Sequence, residues 1–204
     1  MIIHNFEQHS DEWYNIRIGK LTASHADAIH ANGKGLETLC FDLAAEILTG
    51  KKKEIVQSAA MAQGNELEDS ARTLFEMSLG IEVKEVGFVE EDELCGCSPD
   101  GLIGEDSGIE IKCPQANTYA KYLYDRKIKP EYYAQIQMNM LLTGRKSWWY
   151  VVYNPDFQPE IICREVKADP KYQQELRLGI EAGKAKIKEI LSKIKENGNA
   201  HTQN

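Results

Sequence analysis

Two carboxylates and an ammonium stand close together in the stretch Ser98 to Pro114, which reads S-P-D-G-L-I-G-E-D-S-G-I-E-I-K-C-P. Pro99-Asp100-Gly101 has turn chemistry, Leu102-Ile103 is apolar, and a polar loop runs from Gly104 to Gly108. Ile109-Glu110-Ile111-Lys112 then alternates strictly. The stretch predicts a β-hairpin with both isoleucines on the core face and Glu110 and Lys112 together on the other. A turn centred near Asp106 sets Asp100 across from Lys112 and diagonal to Glu110. Carboxylates that converge in this way repel each other unless something cationic sits between them. Asp100, Glu110 and a backbone carbonyl, that of Ile111, would give a divalent ion oxygen-only ligation. Such a set suits Mg²⁺ or Mn²⁺, as one or two ions, and leaves room for water and a phosphate oxygen. Lys112 beside it could lower the pKa of an attacking water or hold a phosphate. Taken alone, Glu-x-Lys on a strand is an ordinary surface pair. Its combination with P-D-G and a following Cys-Pro is much harder to explain that way.

The rest of the chain must position these groups. Ser10 or Asp11 caps a first helix that ends at Gly19, with Trp13 and Ile16 on one face and Arg17 next to them. A short helix starts near Thr22 to Ser24. There Ser24 is either an N-cap or part of a phosphate seat shared with Arg17 and the free N–H groups of the helix start. Further helices are predicted from Leu36 to Thr49 and from Ser58 to Ser78, ended by Gly50 and Gly80. On the latter, Leu67, Ala71, Leu74, Phe75 and Met77 mark the buried side. Glu68 lies at its edge, where Arg72 can pair with it at i,i+4. Lys51-Lys52-Lys53 reads as a solvated loop or a contact to a phosphate backbone. Ile81 to Glu90 and Leu94 to Ser98 read as strands around a solvated acidic turn, Glu90-Glu91-Asp92-Glu93.

After the hairpin, Thr118 to Lys127 predicts a helix, and Glu131 to Leu142 another with Pro130 in its first turn. Gln135 and Asn139 share a face of the latter. Ser147 to Tyr153 is a buried strand and Glu160 to Val166 pairs back on it. A long helix from Pro170 to about Glu196 turns Leu176, Ile180, Gly183, Ile187 and Leu191 inward. One domain over 1–204 is expected: a helical part (1–80), a sheet-centred core (81–166), a closing helix (167–196) and a frayed tail (197–204).

Composition narrows the function classes. With 204 residues, 42% of them hydrophobic and 27% charged, the chain can bury a single core. A net charge of −8 argues against a protein that coats nucleic acid over its whole surface, and leaves room for a basic channel inside an acidic exterior. No apolar run approaches the ~20 residues of a membrane span. The first residues lack a basic region leading into an apolar one, so the cytoplasm is the expected location. Five cysteines without a C-x-x-C pair speak against a disulfide framework or a zinc ribbon.

P-D…E-x-K is the pattern of the PD-(D/E)XK nucleases, and S-P-D-G…G-x-E-x-K-C-P resembles the phage lambda exonuclease/YqaJ-like branch of that superfamily. W-x-x-x-R-x-G-K-L-T-A-S from Trp13, A-R-T-L-F-E from Ala71 and Y-x-A-Q-x-Q from Tyr132 resemble the same branch. The resemblance runs from Trp13 to about Asn154. It implies an α/β (α+β mixed) fold with a restriction-endonuclease-like core, a central mixed β-sheet flanked by helices. It assigns catalysis to Asp100, Glu110, Lys112 and Glu68, with Glu68 a further metal ligand and Glu66 the weaker candidate. Arg17, Ser24 and Gln135 would hold a 5′-phosphate, and Tyr132 and Gln137 are candidate DNA contacts. The activity implied is metal-dependent 5′→3′ digestion of one strand of linear duplex DNA, leaving 3′ overhangs for recombination. A homo-oligomeric ring (a trimer in the lambda enzyme) and a single-strand annealing partner belong to the same expectation. The alternatives are an endonuclease or repair-nuclease module on the same fold, and a non-catalytic DNA-end-binding protein.

Overall fold

The computed structural model describes residues 1–52 and 59–201, with side chains left out at 59–61 and 199–201. Lys53 of the basic triplet, Ser58 and the last three residues of the tail lie outside the described residues. Seven helices and eight strands are found among those described. The helices are α1 (Asp11–Ile16), α2 (Ala26–Ala31), α3 (Lys34–Thr49), α4 (Ala59–Leu79), α5 (Ala116–Asp125), α6 (Pro130–Thr143) and α7 (Pro170–His201). The strands are β1 (Ile2–His4), β2 (Leu21–Thr22), β3 (Phe88–Asp92), β4 (Cys95–Cys97), β5 (Gly101–Ile103), β6 (Ser107–Lys112), β7 (Ser147–Tyr153) and β8 (Ile161–Lys167).

The strands divide between two mixed four-stranded sheets, ordered β1-β3-β4-β2 and β5-β6-β7-β8. The second carries the chemistry. Its centre is the parallel pair β6–β7, with Ile109 opposite Trp149 and Lys112 opposite Val152, a pairing that the α5–α6 crossover makes possible. Trp148, Tyr150, Val151 and Val152 are buried on β7, each side chain contributing roughly 1.5–3 kcal/mol of hydrophobic stabilisation. Against the other sheet, α7 packs across α2 and α3 with Leu176, Ile180, Ile187 and Ile190 inward. Gly179 makes that crossing close: a Cβ there would lie 2.0 Å from the Ile29 carbonyl oxygen. No described helix is long and apolar enough to cross a membrane.

Several expectations shift. The predicted strand from Ile81 begins only at Phe88, because residues before it meet the sheet at a single bridge, Lys84 to Leu102. The acidic run is not a solvated turn. Glu90 pairs with Lys20 (2.8 Å) and His4 (3.1 Å), Glu91 with Arg177 (2.6 Å), and Asp92 with Lys184 (2.6 Å). The first 80 residues hold two short strands as well as helices, and α7 continues five residues into the stretch expected to fray.

Candidate active site

The hairpin forms with a tighter turn than expected. Gly101 pairs with Ile109 and Ile103 with Ser107, which centres the turn on Glu105 and not on Asp106. Gly104, at φ +49, turns the chain immediately after β5. Extending that register sets Asp100 across from Glu110, with Lys112 one strand step further along. Gly101 fixes this end of the hairpin, since a Cβ on it would meet Val83 Cγ1 at 2.2 Å. Asp100 Oδ2 accepts a hydrogen bond from the Ile111 N–H at 2.6 Å, and the Gln8 carboxamide donates to the Pro99 carbonyl at 2.8 Å.

Glu110 is fully buried. Its Oε1 accepts from Lys112 Nζ at 2.5 Å and its Oε2 from Asn139 Nδ2 at 3.1 Å. Lys112 also lies 5.1 Å from the centre of the Tyr132 ring. Glu68 arrives from α4 and accepts from Arg72 at 2.9 Å, so the i,i+4 pair read from the sequence forms and the carboxylate still lines the cleft. Glu66 is exposed on another face.

The electrostatics follow from burial and crowding. Burial first, and then the charge of Asp100, push Glu68 up to about 8 and Glu110 up to about 7. Burial raises Asp100 as well. Burial also opposes the charge on Lys112, but Glu110 and Asp100 outweigh it and hold the ammonium above its ordinary range. Three carboxyls, Glu68, Asp100 and Glu110, thus crowd around Lys112, with Arg72 on Glu68 as a second cation. No three His, Cys, Asp or Glu side chains close into a preformed metal cage among the described residues. The donors present are all hard oxygens: Glu68, Asp100, Glu110 and the Ile111 carbonyl.

All of these groups but Glu110, which is buried behind Lys112, share a cleft of about 560 Å³ with the predicted phosphate seat. Glu68, Asp100, Ile111 and Lys112 line it together with Arg17, Ser24, Gln135 and Tyr132. Arg17 is 9% exposed, its guanidinium 4.2 Å above the Trp13 ring and its Nη1 donating to Ser98 Oγ at 2.8 Å. Its Nε is buried without a partner among the described residues, and burial lowers its pKa to about 10. Ser24 is not an N-cap. It sits inside a 3₁₀ turn, Ala23–His25, and its hydroxyl meets Thr22 Oγ1 at 2.9 Å.

Gln137 does not reach the cleft. Successive helical positions are ~100° apart, so Gln135 and Gln137 diverge. Gln137 is fully buried, donates to the Lys167 carbonyl (2.9 Å) and accepts from the Asp169 N–H (2.9 Å), tying α6 to the β8–α7 junction. Gln137→Ala is therefore expected to cost about 1–3 kcal/mol in chemical denaturation while leaving DNA affinity unchanged. A loss of affinity without a loss of stability would contradict this placement.

Two residues escaped the sequence reading. Ser98 accepts from both Arg17 and Trp13 Nε1 (2.9 Å), and so aligns the two side chains beside Asp100. Asn139 reaches Glu110 from α6, one turn beyond Gln135. The shared face of Gln135 and Asn139 was visible, but no local pattern says that it meets β6. Asn139→Leu removes a charge-assisted hydrogen bond from a buried carboxylate, with a loss of roughly 1.5–3 kcal/mol. The expected result is a kcat about tenfold lower with nearly unchanged KM for DNA, since Asn139 touches Glu110 and not the phosphate seat.

Comparison with known proteins agrees with this fold. A family model described as the YqaJ-like viral recombinase domain matches residues 12–146. Among solved structures the chain is similar to an alkaline exonuclease, LHK-Exo, from Laribacter hongkongensis. The identity is 30% over 94% of this chain and 99% of that one, with a TM-score of 0.87. The same values hold for LHK-Exo in complex with dAMP. A phage-related exonuclease from Haemophilus somnus 129PT is 16% identical over 86% of this chain and 96% of that one, with a TM-score of 0.66, a likeness of fold alone. Comparison with curated proteins gives no match. With its family motif embedded in a matching fold, the chain belongs to the YqaJ-like viral recombinase family.

Proposed function

We propose that this deoxyribonuclease digests one strand of linear duplex DNA from its 5′ end to mononucleotides. The observation that carries the reading is the single cleft in which a buried arginine, Arg17, stands with Ser24 and Gln135 beside Asp100, Lys112 and Glu68. An enzyme that cuts within a strand has no use for a terminal-phosphate seat next to its catalytic groups. The relative solved with dAMP holds a deoxynucleoside monophosphate, the product class expected here.

Arg17 and Gln135 would anchor the terminal 5′-phosphate and so present the first phosphodiester to Asp100 and Lys112. Lys112, kept protonated by Glu110, would orient the attacking water and neutralise charge growing on the phosphate. Water adds to phosphorus and the bond to the 3′-oxygen breaks. A 5′-mononucleotide leaves, and the shortened strand carries a fresh 5′-phosphate for the same seat. Glu68, Asp100, Glu110 and the Ile111 carbonyl fit Mg²⁺, with Mn²⁺ as substitute, because crowded buried carboxylates gain from a hard cation. One or two such ions, when bound, would supply Lewis acidity and a hydroxide at neutral pH. The 3′ overhang so produced suits phage-type homologous recombination, with a ring of identical subunits on the DNA and a single-strand annealing protein as partner.

The test uses linear duplex labelled at either end, with 5′-phosphate or 5′-hydroxyl, beside a closed circle. Mg²⁺-dependent release of 5′ label as mononucleotide, abolished by EDTA and sparing the circle, is the expected result. A cut circle would move the protein to the endonuclease reading.

A further inference from the structure

The catalytic cleft continues past Tyr132. A second cavity of about 310 Å³ shares Pro114, Thr118, Lys129 and Tyr132 with it, so the two adjoin at the Tyr132 ring. The added walls come mainly from Tyr122, Tyr150, Ile128 and Val152, from α5, β7 and the α5–α6 loop. Tyr122 and Tyr150 pack edge to face at 5.7 Å, and Tyr150 lies 6.1 Å from Tyr132. The three rings make a rigid aromatic corner whose side chains cost little ordering when a flat ligand arrives. The opening is basic. Lys129 stands 5.3 Å from the Tyr132 ring and 3.8 Å from Glu131, and exposed Lys121 and Lys127 line the rim with Asp125. In a chain of net charge −8, three lysines gathered at the mouth of one apolar cavity are a local departure from the average.

We propose that this cavity holds an unstacked nucleobase of the strand being cut, with the three lysines following its phosphates. The proposal rests on the exonuclease reading above and adds to it a base-binding site. Aromatic faces accept any base, and ammonium groups beside them track the backbone, which is how sequence-tolerant single-strand sites are built. The terminal nucleotide must leave the duplex for its phosphodiester to enter the cleft, and a freed base needs an apolar surface within one nucleotide of Lys112. This is the cavity that opens there.

The test compares 5′-phosphorylated duplexes carrying an abasic residue at the first, second or third position with intact duplex, under single turnover with Mg²⁺. Wild type should slow about tenfold at one of these positions, as expected when a stacking contact is lost. Ile128→Trp, which fills the cavity without touching the cleft, should slow by a similar factor on intact DNA and show no further loss at that position. A wild type indifferent to all three abasic residues overturns the proposal and favours a protein segment as occupant. An equal loss by Ile128→Trp on every substrate overturns it too. A second variant, Lys121→Glu with Lys127→Glu, alters only exposed side chains. It should weaken capture of a short single strand in EDTA and flatten its salt dependence, and unchanged capture counts against the site. Because capture is read without cleavage, a wild type that binds this way but cuts nothing would sink the exonuclease reading and leave the base site standing.

Discussion

Lys112→Ala should abolish cleavage while leaving DNA affinity within a few-fold of wild type. Among the described residues the ammonium is the one cation in direct contact with buried Glu110, and it lies beside Asp100 in the cleft. Its loss removes the group that orients water and balances the developing phosphate charge, an effect of at least ~10²–10⁴-fold in rate. It also leaves Glu110 with only Asn139, which breaks a buried pair and costs about 3–5 kcal/mol if nothing else compensates. Stability must therefore be measured alongside rate. Lys112→Met, which keeps the stem over Tyr132, should recover part of the stability and none of the activity. Single-turnover release of 5′ label and filter binding of the same duplex separate the two. Near-normal turnover by a folded Lys112→Ala would remove this residue from the mechanism.

Arg17→Ala should act on a different part of the reaction. Arg17 is a charged side chain almost out of water, held by Ser98 and the Trp13 ring and with one N–H unpartnered. Keeping a desolvated guanidinium is costly unless an anion completes it. The 5′-phosphate is that anion in the proposed reaction. Charge-assisted bonds to phosphate contribute about 1.5–3 kcal/mol, so the variant should lose roughly 10–100-fold on 5′-phosphorylated ends. On 5′-hydroxyl ends, which offer Arg17 no anion, the loss should be small. Equal losses on both ends would take the phosphate seat away from Arg17.

How far the chain could be read in advance depends on the range of the interactions. Gly50 and Gly80 end helices where their positive φ is needed, and Ser10 caps α1, because such signals act within one turn. The E-I-K alternation likewise declared its own strand. The hairpin register was missed by one residue, since a loop of polar residues between Ile103 and Ser107 does not announce its centre. Strand β1 was not seen, because three residues form a strand only when β3 offers them a partner far along the chain. The acidic run was misread for the same reason: its cations come from Lys20, Arg177 and Lys184. Asn139 and Ser98 belong to this class too. Their roles lie in what they face.

The parallel pairing of β6 with β7 carries a consequence for biosynthesis. Ile109 meets Trp149 only after both crossover helices have been made, so this central ladder is a high-contact-order feature that closes late. On a translating ribosome, Asp100, Glu110 and Lys112 emerge well before Gln135, Asn139 and the strand that backs them. A truncated or half-made chain therefore carries the whole acidic motif without the helix that seats Glu110. The site is therefore complete only once the chain has passed Tyr153, so the topology delays nuclease activity until Gln135 and Asn139 are in place.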